Sequence, residues 1–239
     1  MKYIYGPVRS RRLGFSLGLT LTPYKICSFD CIYCQLGKTQ ELTQQRKEYL
    51  KVDEVIGDLK SWLMNNSEEA KKLNYITISG SGEPTLNSKI GEVILEIKNI
   101  TTIPLAVITN ASLLGNIQVR QALLKANLIV PSLDAVTLEV LKKVDRPKED
   151  IRIEEIISGL INLRSEFRGQ IWLEIMLVKG VNDSLGHMRR LKEVVDKINP
   201  HKIQLNSPVR TTTEPDILAV NKNKLGKIKN ILGDKCEII

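Results

Sequence analysis

The chain has 239 residues, 42% of them hydrophobic, a formal charge of +8 and a sequence pI of about 9.3. That length suits one domain or two, and no apolar run approaches the roughly 20 residues that a membrane span needs. Met1 to Tyr5 offers no signal-peptide apolar region and four cysteines are few for a disulfide scaffold, so the expectation is a soluble, cytoplasmic protein with reduced thiols.

In chain order, residues 6–14 read as a turn-rich lead-in carrying Arg9, Arg11 and Arg12. Arginine forks suit carboxylate or phosphate, and a solvated basic loop fits equally well. Residues 16–22 alternate and are β-prone, a first strand closed by Pro23, with a cysteine-rich loop directly behind it. Val55, Ile56, Leu59, Trp62 and Leu63 recur at helical spacing within 52–65. A second strand (74–79) ends in Gly80-Ser81-Gly82-Glu83-Pro84, followed by a helix over about 88–99. A third strand (104–109) runs into Asn110, a short helix covers 117–125, and a fourth strand (128–134) ends in polar Ser132 and Asp134. Helices over 137–144 and 153–167 precede a fifth strand, 171–178, which contains Glu174 and ends at Val178. A helix (184–198), a sixth strand (202–206), a loop through Arg210 and a lysine-rich helix (221–231) complete the chain.

Strands alternating with helices imply right-handed βαβ units and a parallel sheet. Six strands are too few for a closed eight-stranded barrel. The expected fold is α/β, a partial (βα)6 TIM-like barrel of parallel strands, although a doubly wound sheet fits the same pattern. No repeat or linker interrupts it, so one domain is expected over 1–239, with its core at about 15–210 and a last helix at about 221–232. In either architecture ligands gather at the carboxyl ends of strands, where this sequence places its polar residues.

Three of the four cysteines, Cys27, Cys31 and Cys34, fall in one C-x3-C-x2-C segment. Three thiolates from one short segment can hold three irons of a cubane cluster and leave the fourth iron without a protein ligand. A zinc site would want four ligands, usually in two pairs. Here the fourth could only be Cys236, His187, His201 or a carboxylate, and none makes a second pair. A non-catalytic, zinc-stabilised RNA-binding module is the alternative from outside enzymology.

With Tyr33 just before the last cysteine, C-S-F-D-C-I-Y-C resembles the hallmark of the radical S-adenosylmethionine (radical SAM) superfamily. G-P-V-R-S-R-R-L-G, S-G-S-G-E-P-T-L and V-P-S-L-D are most similar to its wyosine-synthase-type subgroup, and the likeness runs from about Tyr5 to Arg210. The wyosine synthases carry a second cluster with its own cysteines, whereas here only Cys236 remains, read as a plain C-terminal thiol. The resemblance implies a [4Fe–4S] cluster on Cys27, Cys31 and Cys34 and S-adenosyl-L-methionine (SAM) as cofactor. It implies reductive cleavage of SAM to a 5′-deoxyadenosyl radical that abstracts a hydrogen from a substrate. Gly80, Gly82 and Glu83 then match the motif that meets the SAM amino group; taken alone they are an ordinary strand-to-helix turn. Asn110, Ser132 and Asp134 match positions for the ribose hydroxyls and carboxylate, or else cap helices. Tyr33 would orient adenine through its backbone, and Val178 would pack on adenine or in the core.

Glu174 is a carboxylate in an apolar strand, costly unless paired. It either lines the substrate cavity with Trp172 and Met176 or is partnered by a lysine or arginine. Lys179, Gln204, Asn206 and Arg210 are further substrate-side candidates, and His187 and His201 read as surface or capping residues. The expected partners are SAM, a flavodoxin- or ferredoxin-like electron donor, and tRNA or a protein or peptide substrate. The basic charge favours tRNA.

Overall fold

The computed structural model describes residues 2–239. Its elements are β1 (Ile4–Ser10), β2 (Gly14–Thr20), β3 (Ile26–Cys27), β4 (Glu41–Leu42), α1 (Val52–Asn65), α2 (Ser67–Ala70), β5 (Tyr75–Ser79), α3 (Ile90–Ile100) and β6 (Leu105–Thr109). Then follow α4 (Ile117–Leu123), β7 (Leu128–Pro131), α5 (Leu138–Val144), α6 (Ile153–Glu166), β8 (Gln170–Met176), α7 (Leu185–Ile198), β9 (Lys202–Asn206), α8 (Lys222–Leu232) and β10 (Cys236–Ile238).

One eight-stranded sheet runs β1-β2-β5-β6-β7-β8-β9-β10. Neighbours from β2 to β10 pair in parallel, in registers such as Leu19↔Ile78, Val107↔Ile129 and Leu173↔Ile203. Strands β2, β5, β6, β7, β8 and β9 are the six expected from the sequence, in their chain order. This is the partial barrel. Alternate side chains explain its two faces. Leu17, Leu19, Ile76, Ile78, Val107, Ile129, Leu173, Ile175, Ile203 and Leu205 point outward into one large core. There they meet Val55 and Leu59 of α1, Val93 and Ile97 of α3, Leu160 and Leu163 of α6, and Leu191 of α7. Fully burying each such side chain is worth about 1.5–3 kcal/mol. The opposite face carries a small apolar floor of Leu13, Ala106, Leu128 and Val130, with Tyr75, Ile108 and Trp172 packed on it. Among the described residues no helix is long and apolar enough to cross a membrane.

The lead-in departs from expectation. Residues 4–10 form β1, an antiparallel edge strand on β2, not a loop. Its register shifts between Tyr5 and Val8, which breaks the alternation by which a strand is read, and Pro7 is tolerated because the strand lies at an edge. The turn after β1 places Leu13 on the apolar floor and turns Arg12 toward β8. Strand β10 was also unforeseen, since three residues are too short to show a period. The fourth strand stops at Pro131 and the fifth at Met176, so Ser132, Asp134 and Val178 belong to the loops beyond.

Candidate cluster and cofactor site

The cysteine segment follows the C-terminal end of β2. Cys27 ends β3, whose pairing with β4 folds residues 28–40 into a loop. Asp30 accepts the Thr39 N–H at 2.6 Å and Thr39 Oγ1 donates to the Phe29 carbonyl at 2.8 Å, which closes that loop on itself. All three cysteines are free and half-buried. Cys27 Sγ is 3.6 Å from Asn110 Nδ2, Cys31 Sγ donates to Asp145 Oδ1 at 3.3 Å, and Lys25 Nζ donates to Cys34 Sγ at 3.1 Å. Burial pushes the Cys27 thiol up to about 12, with the Glu83 charge and Cys34 adding to it. Burial raises Cys31 well above the ordinary thiol range, helped by Asp145, Cys27, Asp134 and Cys34.

Thiols must be deprotonated to ligate, and the buried Cys27 and Cys31 would favour their thiolate forms with a metal cation bound to them. That chemistry fits an iron–sulfur cluster. A tetrahedral zinc would draw its ligands to about 2.3 Å from one ion. Among the described residues no group of three or more His, Cys, Asp or Glu is arranged to hold a single ion. A cubane instead asks each sulfur to meet a different iron.

The loop after β5 is built around close approach. A Cβ on Gly82 would lie 1.9 Å from the Ile26 carbonyl oxygen, and one on Gly80, whose φ is +84°, would lie 2.5 Å from Thr20. Only glycine lets this loop touch the segment that carries Cys27. Glu83 is buried, and its carboxylate organises the neighbouring strand ends. It accepts from Thr85 N (3.0 Å), Thr85 Oγ1 (2.5 Å), Thr109 Oγ1 (2.7 Å) and Asn110 N (2.7 Å). Burial still raises its pKa, against these hydrogen bonds. Asn110 also donates to Ser28 Oγ at 2.8 Å.

Tyr33, Asn110, Ser132 and Asp134 line one cavity, together with Phe29 and Asp145. The Tyr33 hydroxyl donates to Asp134 Oδ2 and reaches Asp145 Oδ1 at 3.3 Å, while Asp134 Oδ1 accepts the Met176 N–H at 2.7 Å. Both Asp134 oxygens are therefore already engaged. Burial raises Asp134 well above the carboxylate range, with Asp145 adding to it, and pushes Asp145 up to about 7. Val178 is buried in the outer core, and its N–H donates to Asn182 Oδ1 at 2.8 Å.

On the inner face Glu174 is buried and paired with Arg12, and Asn206 Nδ2 donates to its Oε1 at 3.2 Å. Arg11 donates to Asn206 Oδ1 at 3.3 Å. Gln204 donates from Nε2 to the Arg12 carbonyl at 3.3 Å. Glu174 thus shares the phase of Trp172 and also has an arginine partner. Lys179 and Arg210 are exposed; Arg210 comes 3.5 Å from Gln35 beside the cysteine loop. His187 is not a surface residue. It is buried with neither ring nitrogen hydrogen-bonded, because its place on the first turn of α7 faces the core. His201 is exposed and its Nδ1 accepts the Ile171 N–H at 3.0 Å. Cys236 is a core thiol pushed up to about 12 by burial.

Sequence reasoning passed over Lys25, Asp145 and Tyr5 here, and named Arg12 without joining it to Glu174. Lys25 and Asp145 touch cluster-segment sulfurs, Arg12 neutralises Glu174, and the Tyr5 hydroxyl meets Ser79 and accepts the Gly80 N–H at 3.3 Å. Lys25 alone had a signal, its place two residues before Cys27; the others join through partners up to 162 positions away.

A groove lined by Leu185, Asn221, Lys222, Asn223, Lys224 and Lys227 opens where α7 and α8 begin. Helix α7 follows the loop from the C-terminal end of β8, and α8 the loop from that of β9, so the groove lies on the same end of the sheet as the cysteines.

The family model of the radical SAM superfamily matches residues 21–191. A Brachyspira hyodysenteriae protein named "GTPase Obg" is 42% identical over 237 residues, covering 99% of this chain and 34% of that protein. A UPF0026 protein from Methanocaldococcus jannaschii is 31% identical over 234 residues, covering 98% of this chain and 72% of its own. A dual-specificity RNA methyltransferase, RlmN, from Buchnera aphidicola is 28% identical over 235 residues, 87% of this chain and 58% of that protein. The solved radical SAM methyltransferase from Sphaerobacter thermophilus shares the fold with a TM-score of 0.73 at 17% identity, covering 94% of this chain and 65% of that one. The chain spans about a third of the Brachyspira protein. With the match over residues 21–191 and the C-x3-C-x2-C segment behind the C-terminal end of β2, the chain belongs to the radical SAM superfamily, whose enzymes use a [4Fe–4S] cluster and S-adenosylmethionine.

Proposed function

We propose that this radical SAM enzyme modifies a base in RNA. The observation that carries the reading is the distribution of charge. Residues 179–239 hold twelve Lys and Arg against seven Asp and Glu, five of the eight net positive charges of the chain. Three of these lysines line the groove on the cluster's end of the sheet, where a phosphate backbone would be held while a base enters the barrel. The RNA methyltransferase name of one relative supports the same substrate class.

In this reading Cys27, Cys31 and Cys34 hold the cluster. Gly80, Gly82 and Glu83 shape the seat of the SAM amino group; Asn110 and Ser132 face its ribose and carboxylate. Asp134, whose oxygens are both engaged, positions Tyr33 and Met176, and Tyr33 presents its backbone to adenine, while Val178 packs in the core. When bound and reduced, the cluster and SAM supply a 5′-deoxyadenosyl radical that takes a hydrogen atom from the substrate. The protein binds, orients and excludes water. Glu174, Gln204 and Asn206 line the substrate side, with Lys179 and Arg210 at its rim. An electron donor of flavodoxin or ferredoxin type would dock from outside. The whole chain acts as one domain.

The test is anaerobic reconstitution, dithionite reduction and incubation with SAM and bulk RNA, followed by nucleoside mass spectrometry. A new modified nucleoside, with RNA-stimulated 5′-deoxyadenosine, is expected; Cys31→Ala should abolish both while leaving the far-UV circular dichroism unchanged. Stimulation by a protein fraction and not by RNA would assign a protein or peptide substrate instead.

A further inference from the structure

We infer that Lys25 is the built-in charge partner of the cluster's thiolates and that its ammonium keeps the cluster reducible. Lys25 is only 2% exposed. Its Nζ donates to Cys34 Sγ at 3.1 Å, and among the described residues no carboxylate pairs with it. A buried ammonium is costly without an anion beside it. The anion this position meets is the Cys34 sulfur of the cluster segment.

The backbone holds Lys25 there against its own preference. Its φ is +54°, a left-handed conformation that costs a non-glycine residue about 1–2 kcal/mol. The surroundings enforce it: the Lys25 N–H donates to the Ser81 carbonyl at 2.7 Å, and the Lys25 carbonyl accepts from Gln40 N at 3.0 Å and Glu41 N at 3.3 Å. One residue thus ties the glycine–glutamate loop, the β4 segment and Cys34 together. Strain kept in this way clusters at functional sites. An exposed lysine would need none of it.

Reduction adds negative charge to an iron–sulfur cluster, and hydrogen bonds to its sulfurs and nearby positive charge favour that state. Lys25 supplies both at once. The inference rests on the family's cluster and is independent of which substrate the enzyme modifies.

The test is the midpoint potential of the anaerobically reconstituted holoenzyme, followed by electron paramagnetic resonance, in wild type, Lys25→Met, Lys25→Arg and Lys38→Met. Lys25→Met should shift the one-electron equilibrium about tenfold toward the oxidised cluster, which is about 59 mV. Lys25→Arg keeps the charge and should stay within about threefold of wild type. Lys38 is exposed in the same loop, so its loss should leave the midpoint in place because water screens it. A Lys25→Met holoenzyme with full iron content and the wild-type midpoint overturns the inference, as does an equal shift in Lys38→Met. If Lys25→Met folds but does not retain iron, the reading moves to cluster loading: retention in Lys25→Arg supports the inference and equal loss overturns it. Lys25→Gln replaces Lys25→Met, with the same readouts, should the latter not fold.

Discussion

Glu174 sits on β8 between Leu173 and Ile175, both fully buried, and its own carboxylate is paired with Arg12. The ion pair leaves the Arg12 side chain 32% exposed and that of Glu174 6% exposed. Arg12→Ala would strand the buried carboxylate and should cost roughly 2–3 kcal/mol, below the fully buried case because Arg12 keeps some water. The Arg12→Met, Glu174→Met double variant should recover most of that loss in urea unfolding, since no lone charge remains. His187 makes the complementary case. Burial, aided by the Arg190 charge, holds its pKa below 6.5. Between the folded pKa and 6.5 the unfolded chain binds more protons, so stability falls as pH drops through that window. In His187→Met this contribution should vanish. From pH 7 to pH 5 the urea midpoint of the wild type should therefore fall further than that of His187→Met.

At the scale of elements, the site depends on how closely the β5–α3 loop approaches the cysteine segment. Gly82→Ala would force a Cβ to within 1.9 Å of the Ile26 carbonyl, a backbone atom that cannot yield cheaply. A cost on the order of 3 kcal/mol, the upper end for overpacking, is expected, with iron content after reconstitution falling. Gly37, also in the cysteine loop, has φ +80° and nothing within 4 Å of an added Cβ. Gly37→Ala should cost only the left-handed strain of about 1–2 kcal/mol and keep its iron. Equal iron loss in both variants would mean that loop flexibility, not the Gly82 approach, governs the site. The helices around the site were readable from apolar spacing and caps. Asn116, Thr137, Ser184 and Asn221 each accept a first-turn N–H at the start of their helices.

The whole molecule turns one end toward its ligands. Parallel strands put every following loop there, and the C-terminal quarter adds its lysines to the same rim. If RNA lies across this rim, Lys222 and Lys227 meet phosphates, while Lys224 is already paired with Asp183 at 2.6 Å. Lys222→Gln, Lys227→Gln should weaken RNA binding and lower the slope of log affinity against log salt by about 1.5, near the 0.7–0.9 expected per lost phosphate contact. Basal 5′-deoxyadenosine formation without RNA should not change. An unaltered slope would place RNA elsewhere on the surface.

The sequence by itself determined the six-strand βα series, the C-x3-C-x2-C spacing of Cys27, Cys31 and Cys34, and the glycine–glutamate turn. Each is a local pattern, written as period, capping residue or spacing within a few positions. Only the tertiary structure decided that residues 4–10 form an edge strand and that His187 is buried. It alone paired Glu174 with Arg12, committed both oxygens of Asp134, and set Lys25 against Cys34 without a carboxylate. Those outcomes depend on which side chains meet across the sheet, and charge pairing and burial have no period along a chain from which they can be read.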